Sequence, residues 1–67
     1  MDGKLTNCLK KLRKDAGLTQ EELADKVGVT RQTIISIEKG NYTPSVLLAI
    51  KLSQELNTKV EMLFDCV

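Results

Sequence analysis

Apolar residues recur along most of this chain at intervals of three and four, the spacing that places side chains on one face of an α-helix. Near the N-terminus this stripe consists of Leu5, Cys8, Leu9, Leu12 and Ala16. Gly17 follows the stripe, at the position where glycine commonly ends a helix. The pattern therefore predicts a first helix that stops just before Gly17.

The stretch LTQEEL contains the signals of a second helix start. Thr19 is an N-cap residue, and Glu22, three residues later, completes a capping box. Leu18 and Leu23 are spaced as a hydrophobic staple across the same helix start. The second helix is expected to be short and to stop at Gly28.

Three further helices are predicted after Gly28. Thr30 caps the third, with Ile34 and Ile37 as its inward residues. For the fourth, either Pro44 sits in the first turn or Ser45 is the cap just after it. Its expected buried residues are Val46, Ala49, Ile50, Leu52 and Leu56. A last turn over 60–64 is expected to cover the bottom of the core, so the predicted class is all-α.

Length and composition favour one globular domain over residues 1–67. The chain is 42% hydrophobic and has no apolar run close to 18 residues, which argues against a membrane span. Its net charge of +1 does not by itself indicate nucleic acid, although residues 1–20 alone carry +3. That basic segment is equally typical of a solvated helix face.

Candidate catalytic chemistry is missing from the sequence. There is no histidine, no nucleophile with a base, no glycine-rich phosphate loop and no plausible metal cluster. We therefore expect no enzyme activity, no cofactor and no small-molecule ligand. Without a signal peptide, Cys8 and Cys66 are interpreted as reduced thiols of a cytoplasmic protein.

Two short helices joined by a glycine-containing turn, at about 19–39, have the dimensions of a helix-turn-helix. The stretch LTQEELADKVGVTRQTIISIEKGNYTPS, followed by LNTKVEMLF, resembles the Cro/CI-type (XRE-type) helix-turn-helix transcriptional regulators over about residues 5–64. The resemblance implies a compact five-helix repressor-like DNA-binding domain, in the short form that has no further domain.

The outer face of the third helix is the candidate for reading DNA. With Ile34 and Ile37 inward, Gln32 and Ser36 point roughly outward. Arginine can pair with guanine, glutamine with adenine, and threonine can contact thymine. The resemblance implies that the base readers are Arg31, Gln32, Thr33 and Ser36. The alternative is a helix face that is merely solvated.

Other polar residues are candidates for the DNA backbone. The proposed contacts, partly implied by the resemblance, are Thr19, Gln20, Arg13, Lys39, Asn41 and Tyr42. Arg13 is expected on the exposed side of the first helix. Tyr42 is equally compatible with a packing lid over the third helix. Glu38 would repel phosphate, so we expect it to pair with a cation of the first helix or to cap a backbone group.

In the C-terminal tail 63–67, Phe64 and Cys66 alternate with Asp65 and Val67 as residues of a strand with one buried face do. A lone strand is stable only when paired, which predicts antiparallel pairing between two subunits. The expected dimer residues are Met62, Phe64, Cys66 and Val67. The alternative is a frayed terminus.

Together these features predict a sequence-specific DNA-binding regulator, most simply a repressor. It would bind a short, near-palindromic operator in double-stranded DNA as a homodimer, with the third helix in the major groove. The alternative is an antitoxin or a protein-binding adaptor on the same fold. Its partner surface would then include Ile35, Leu47 and Met62, which are apolar where polar residues are common in the family.

Overall fold

The computed structural model describes residues 7–64 and contains five α-helices and no strand within that range. The helices are α1 (Leu9–Asp15), α2 (Gln20–Val27), α3 (Arg31–Glu38), α4 (Val46–Glu55) and α5 (Val60–Phe64). The all-α, five-helix prediction is confirmed. None of these helices is long and apolar enough to cross a membrane.

The start of α2 is the capping box that the sequence predicts. The Glu22 backbone N–H donates to Thr19 Oγ1 at 3.0 Å, and the Thr19 N–H donates to Glu22 Oε1 at 2.8 Å. Because these hydrogen bonds favour the ionised carboxylate, the backbone bond foremost, the pKa of Glu22 lies below its usual 4.5. Two backbone donors at the helix start are thereby satisfied.

The turn between α2 and α3 depends on one glycine. Gly28 ends α2 with φ of +77°, in the left-handed region that side chains with a Cβ avoid. The Val29 N–H then donates to the Ala24 carbonyl at 3.0 Å, and Thr30 caps α3 immediately afterwards. This three-residue turn fixes how α3 leaves α2.

The hydrophobic core lies between all five helices, with α2 packed against both α3 and α4. Its buried members are Leu9, Leu23, Ala24, Val27, Ile34, Ile37, Leu48, Leu52, Leu56 and Leu63. Ile34 and Ile37 are completely buried, as predicted. Two hydrogen bonds close the bottom of the domain: Cys8 N–H to the Leu63 carbonyl and Asn7 Nδ2 to the Ile37 carbonyl, each 2.8 Å.

The first helix ends as predicted: α1 stops at Asp15, the exposed Ala16 is its C-cap, and Gly17 follows with φ of +74°. Two other expectations for this part of the chain are wrong. Arg13 is buried, with an exposed fraction of 7%, and does not lie on the outer side of the helix. Cys8 is disulfide-bonded and not a reduced thiol, while Cys66 lies outside the described residues.

The buried face of α4 also differs from the prediction. Ser45 is the N-cap, accepting a hydrogen bond from the Leu48 N–H at 3.1 Å. Val46 and Ile50, predicted to be buried, are 77% and 40% exposed. Ala49, Leu52 and Leu56 are buried as predicted, and Leu48, which was not predicted, is buried with them. Because residues 46–50 are all apolar, their spacing alone does not determine which face turns inward.

The predicted C-terminal strand is wrong where the structure describes it. Leu63 and Phe64 belong to α5, with Leu63 fully buried and Phe64 packed against the core. Met62 is 57% exposed. Cys66 and Val67 lie outside the described residues, so their predicted place in a dimer contact has no structural description.

Candidate nucleic-acid interface

The four predicted base readers lie together on α3. Arg31 and Gln32 are exposed, and Thr33 and Ser36 are half-buried. Ile34 and Ile37 fill the core beneath them, so the opposite side of the helix faces outward. Recognition helices that lie in the major groove of DNA carry polar side chains on the outer face near the N-terminus, as α3 does.

The first turn of α3 is fixed by Thr30. Its Oγ1 accepts a hydrogen bond from the Thr33 N–H at 3.2 Å and lies 3.0 Å from Thr33 Oγ1. Thr33 therefore already has a hydroxyl partner within the protein. Arg31 and Gln32, by contrast, are exposed and have the donor and acceptor groups that recognise guanine and adenine.

A polar cluster beneath the interface joins three helices through Glu38. Arg13 Nε of α1 donates to Glu38 Oε2 at 2.6 Å, and Arg13 Nη2 donates to Oε1 at 3.3 Å. Gln20 Nε2 of α2 donates to the same Oε1 at 3.1 Å. Arg13 Nη1 also donates to the Leu18 carbonyl at 2.8 Å. We call Arg13, Gln20 and Glu38 the three-helix clamp.

The clamp confirms that Glu38 pairs internally with a cation of the first helix. The side chains of Arg13 and Glu38 are only 9% and 4% exposed, so the Arg13 guanidinium is not available to a phosphate. The sequence carried a signal for this. Arg13 follows the buried Leu9 by four residues, and Glu38 follows Ile34 by four, which places each charge on its helix's core-facing side.

The ion pair inside the clamp also balances the one negative charge of α3, which would otherwise lie close to the interface. Glu38 is the only acidic residue of α3, and the guanidinium of Arg13 balances it at a distance of 2.6 Å. Arg31 at the start of α3 and Lys39 just after its end are both exposed. The outer face of α3 is therefore compatible with the negative charge of a DNA backbone.

The predicted backbone contacts flank α3 on two sides. Gln20 and Thr19 lie at the start of α2, where Thr19 is exposed and the Gln20 amide is engaged with Glu38. After α3, Lys39, Asn41 and Tyr42 are all exposed. The Asn41 N–H donates to the Ser36 carbonyl at 2.9 Å, which ties this loop to the end of the helix.

Tyr42 does not form a closed lid. Its side chain is 46% exposed and borders a shallow cavity of about 230 Å³ beside the turn after α2 and the start of α4.

Among residues 7–64 there is no group of histidine, cysteine and carboxylate side chains suited to a metal ion. The polar face of α3 is the candidate site because the four predicted base readers lie together on it.

Comparison with known proteins identifies the class of this fold. The family model described as helix-turn-helix matches residues 9–63, and the chain belongs to this family of Cro/CI-type DNA-binding transcriptional regulators. The expected resemblance is confirmed.

Individual relatives carry the same description. An uncharacterised HTH-type transcriptional regulator from Methanocaldococcus jannaschii is 52% identical over 60 residues, covering 90% of this chain and 91% of the relative. A second one, from Methanothermobacter thermautotrophicus, is 64% identical over 44 residues. That match covers 66% of this chain and 64% of the length of the relative.

Solved structures with the same fold include a controller protein and two complexes of SinR. The restriction-modification controller protein C.AhdI from Aeromonas hydrophila superposes with a TM-score of 0.77 at 34% identity, covering 84% of this chain and 85% of that one. SinR in complex with DNA gives 0.73 at 35% identity, covering 79% and 86%. A complex of SinR with the SinI protein gives 0.79 at 36% identity, covering 87% and 57%.

Proposed function

We propose that this chain recognises a specific DNA sequence by placing α3 in the major groove and that it acts as a repressor. The observation that carries the proposal is the outer face of α3. Arg31 and Gln32 are exposed there, while the Glu38 carboxylate is neutralised inside the three-helix clamp. The SinR structure with DNA supports DNA as the partner of this fold.

Individual contacts follow from this placement. Arg31, Gln32, Thr33 and Ser36 would contact base edges, with Arg31 and Gln32 contributing most because both are exposed. Thr19, Gln20, Lys39, Asn41 and Tyr42 would contact phosphates on either side of α3. Arg13 has no such role, since its guanidinium is used by Glu38 and the Leu18 carbonyl.

A dimer would explain how so small a reading surface gives useful affinity. One module of this size buries roughly 600–1,000 Å² on DNA. Two modules related by a two-fold axis would read half-sites about 34–36 Å apart in a near-palindromic operator. Moving the two half-sites apart by half a helical turn should then weaken binding strongly.

The test is a titration against DNA from the upstream region of its own gene, with random DNA as competitor. We expect a discrete complex that resists the competitor. Arg31→Ala and Gln32→Ala should each cost about 1–3 kcal/mol of binding free energy and relax specificity at one base position. Gln54→Ala, an exposed glutamine on α4, is the matched control and should bind like the unmodified protein.

A phosphate contact has a different signature from a base contact. Lys39→Ala should weaken binding to all sequences alike and reduce the salt dependence of log Kobs by about one unit. If specific DNA is bound no better than random DNA, or if Arg31→Ala and Gln32→Ala bind normally, the proposal is wrong.

The alternative of an antitoxin or protein-binding adaptor has one observation in its favour. SinR, a relative with this fold, has been solved in a complex with the SinI protein. An adaptor would keep its partner when Arg31 and Gln32 are replaced by alanine. The same two variants therefore distinguish the two functions.

A further inference from the structure

Cys8, the N-cap residue of α1, takes part in a disulfide bond. The sequence has one other cysteine, Cys66, which lies outside the described residues. Because the structure is that of a single chain, the sequence leaves Cys66 as the partner of Cys8. The proposed reading of DNA makes no use of this bond.

The described backbone is compatible with this pairing. The Cys8 N–H donates to the Leu63 carbonyl at 2.8 Å, so the start of α1 touches the end of α5. Cys66 follows Leu63 by three residues, which span at most about 10 Å when extended. A disulfide requires the two Cα atoms to lie about 4.4–6.8 Å apart. A partner three residues after Leu63 is therefore within reach of Cys8.

A bond between residues 8 and 66 would enclose all five helices in one covalent loop. Closing a long loop stabilises a fold because it removes conformational freedom from the unfolded chain. A domain of 67 residues has a small core and is correspondingly marginal in stability. The bond is therefore expected to supply a large share of the stability of this domain.

The residue before Cys8 connects the start of α1 to the reading helix. Asn7 Nδ2 donates to the Ile37 carbonyl in the last turn of α3 at 2.8 Å, and Asn7 Oδ1 accepts from the Leu9 N–H at 3.1 Å. Leu9 is itself 1% exposed in the core. The segment from Asn7 to Leu9 thus joins α1, α3 and α5.

A polar groove gives small thiols access to Cys8. The groove encloses about 510 Å³, and its lining includes Cys8, Lys10, Lys11 and Lys14. Cys8 is half-buried, whereas the three lysines are exposed. We call this surface the basic groove.

The balance of charge in the basic groove is positive. Asp15 and Glu38 also line it, but Glu38 is neutralised by Arg13 in the three-helix clamp. The three lysines outweigh the remaining carboxylate. Thiol–disulfide exchange begins with the attack of a thiolate and releases another thiolate. Cations beside the sulfur favour both the approach of the first anion and the release of the second.

The expected surroundings of the chain also favour exchange at this bond. Proteins that work beside DNA inside a cell are exposed to thiols that keep most cysteines reduced, and disulfides there are usually transient or redox-sensing. This step rests on the proposed function, because it takes the chain to act on DNA. An accessible disulfide in such surroundings is a target for reduction.

We propose that Cys8 and Cys66 form a redox-sensitive bond, which a dithiol entering the basic groove opens in the folded protein. A thiolate of the dithiol attacks Cys8 Sγ, forms a mixed disulfide and releases Cys66 as a thiolate. The second thiol of the dithiol then displaces Cys8. The dithiol leaves as a disulfide, and its two protons pass to the two cysteines. The oxidised chain is the more stable form.

Alkylation with iodoacetamide followed by mass spectrometry counts the free thiols. After treatment with oxidised glutathione, we expect a monomer that takes up no label even when it is unfolded. Dithiothreitol, a dithiol, should expose two thiols while circular dichroism still shows the folded protein. Two free thiols after the oxidising treatment, or two chains joined by a disulfide, overturn the proposal. A bond that opens only after unfolding overturns it as well.

Thermal unfolding measures what the bond contributes. Reduction should lower the Tm by at least about 10 °C. The double variant Cys8→Ser/Cys66→Ser should melt at the temperature of the reduced protein and should not respond to dithiothreitol. An unchanged Tm on reduction contradicts the proposal.

The basic groove has its own matched test. Lys10→Gln/Lys14→Gln should slow reduction by dithiothreitol at least about threefold, since two of the three cations beside Cys8 are lost. Lys26→Gln, which replaces an exposed lysine of α2 outside the groove, should be reduced as fast as the unmodified protein. Equal rates for the two variants would remove the groove from the proposal.

DNA binding separates this inference from the proposed function. At a temperature between the Tm values of the oxidised and the reduced protein, dithiothreitol should weaken operator binding at least about tenfold, because most of the reduced chain is unfolded there. Specific DNA binding by a chain that forms no internal disulfide would remove the redox proposal and leave the proposed function intact. A reducible internal disulfide in a chain that binds no specific DNA would do the reverse.

Discussion

The helix pair α2–α3 buries its apolar side chains more completely than the helix pair α4–α5 does. Of the six apolar residues of α2 and α3, five are at most 3% exposed and Ile35 is half-buried; the five are Leu23, Ala24, Val27, Ile34 and Ile37. The one acidic side chain at the end of α3 is neutralised inside the three-helix clamp. In α4 and α5, Val46, Ile50 and Val60 remain substantially exposed beside a groove.

Because of this difference in burial, the two helix pairs present different kinds of surface to solvent. In the pair α2–α3 the helix caps are satisfied locally, and Arg13 of α1 balances the buried charge of Glu38. Apart from the half-buried Ile35, the outward groups of the pair are polar and suited to DNA. The pair α4–α5 buries only one of its apolar faces. Within residues 7–64 nothing covers the second face, so the exposed groups of the two pairs differ in kind: polar on α3 and apolar on α4 and α5.

The largest expected effect comes from breaking the three-helix clamp. Arg13→Met leaves the Glu38 carboxylate buried without its cation, which should lower the free energy of unfolding by about 3–5 kcal/mol. Urea denaturation followed by circular dichroism measures this loss.

The double variant Arg13→Met/Glu38→Met is the control for charge burial. With both charges replaced by apolar groups, it should be more stable than Arg13→Met alone. A double variant that is less stable than Arg13→Met would mean that the hydrogen bonds of the clamp matter more than the cost of an unpaired charge.

A smaller effect separates the two helix pairs directly. Ile34→Ala in α3 removes a side chain with no exposed surface and should cost about 2–5 kcal/mol of unfolding free energy. Ile50→Ala in α4, 40% exposed, should cost less than about 1 kcal/mol when measured on the monomer at low concentration. Similar losses for the two isoleucines would show that α4 buries Ile50 as fully as α3 buries Ile34.

The smallest effect concerns the capping box of α2 and depends on pH. Because the folded-state pKa of Glu22 lies below 4.5, its ionised form adds stability above that pH, and the contribution is lost as the pH falls through the lowered pKa. When the pH is lowered from 7 to between 4.5 and 3, the free energy of unfolding should decrease more for the unmodified protein than for Glu22→Gln. Glu21→Gln, in the same turn but outside the box, should decline like the unmodified protein.

Local signals in the sequence determined most of the helix-turn-helix. Thr19 with Glu22, Gly28 and Thr30 fix the helix ends through hydrogen bonds and backbone angles that involve neighbouring residues only. The inward side of α3 was also predictable, because Ile34 and Ile37 are flanked by polar residues on the other side. The predicted readers Arg31 and Gln32 are exposed for the same reason.

Tertiary structure decided the placement of residues whose sequence pattern allows more than one answer. Five consecutive apolar residues in α4 let either face turn inward, and packing against α2 selected Leu48 over Val46 and Ile50. The charge of Arg13 favours a surface position, but Glu38, 25 positions later, gives that charge a buried partner. Residues so far apart in sequence can pair only after the helices have packed. This ion pair keeps Arg13 and Glu38 in the interior, while Arg31 and Gln32 remain exposed on α3.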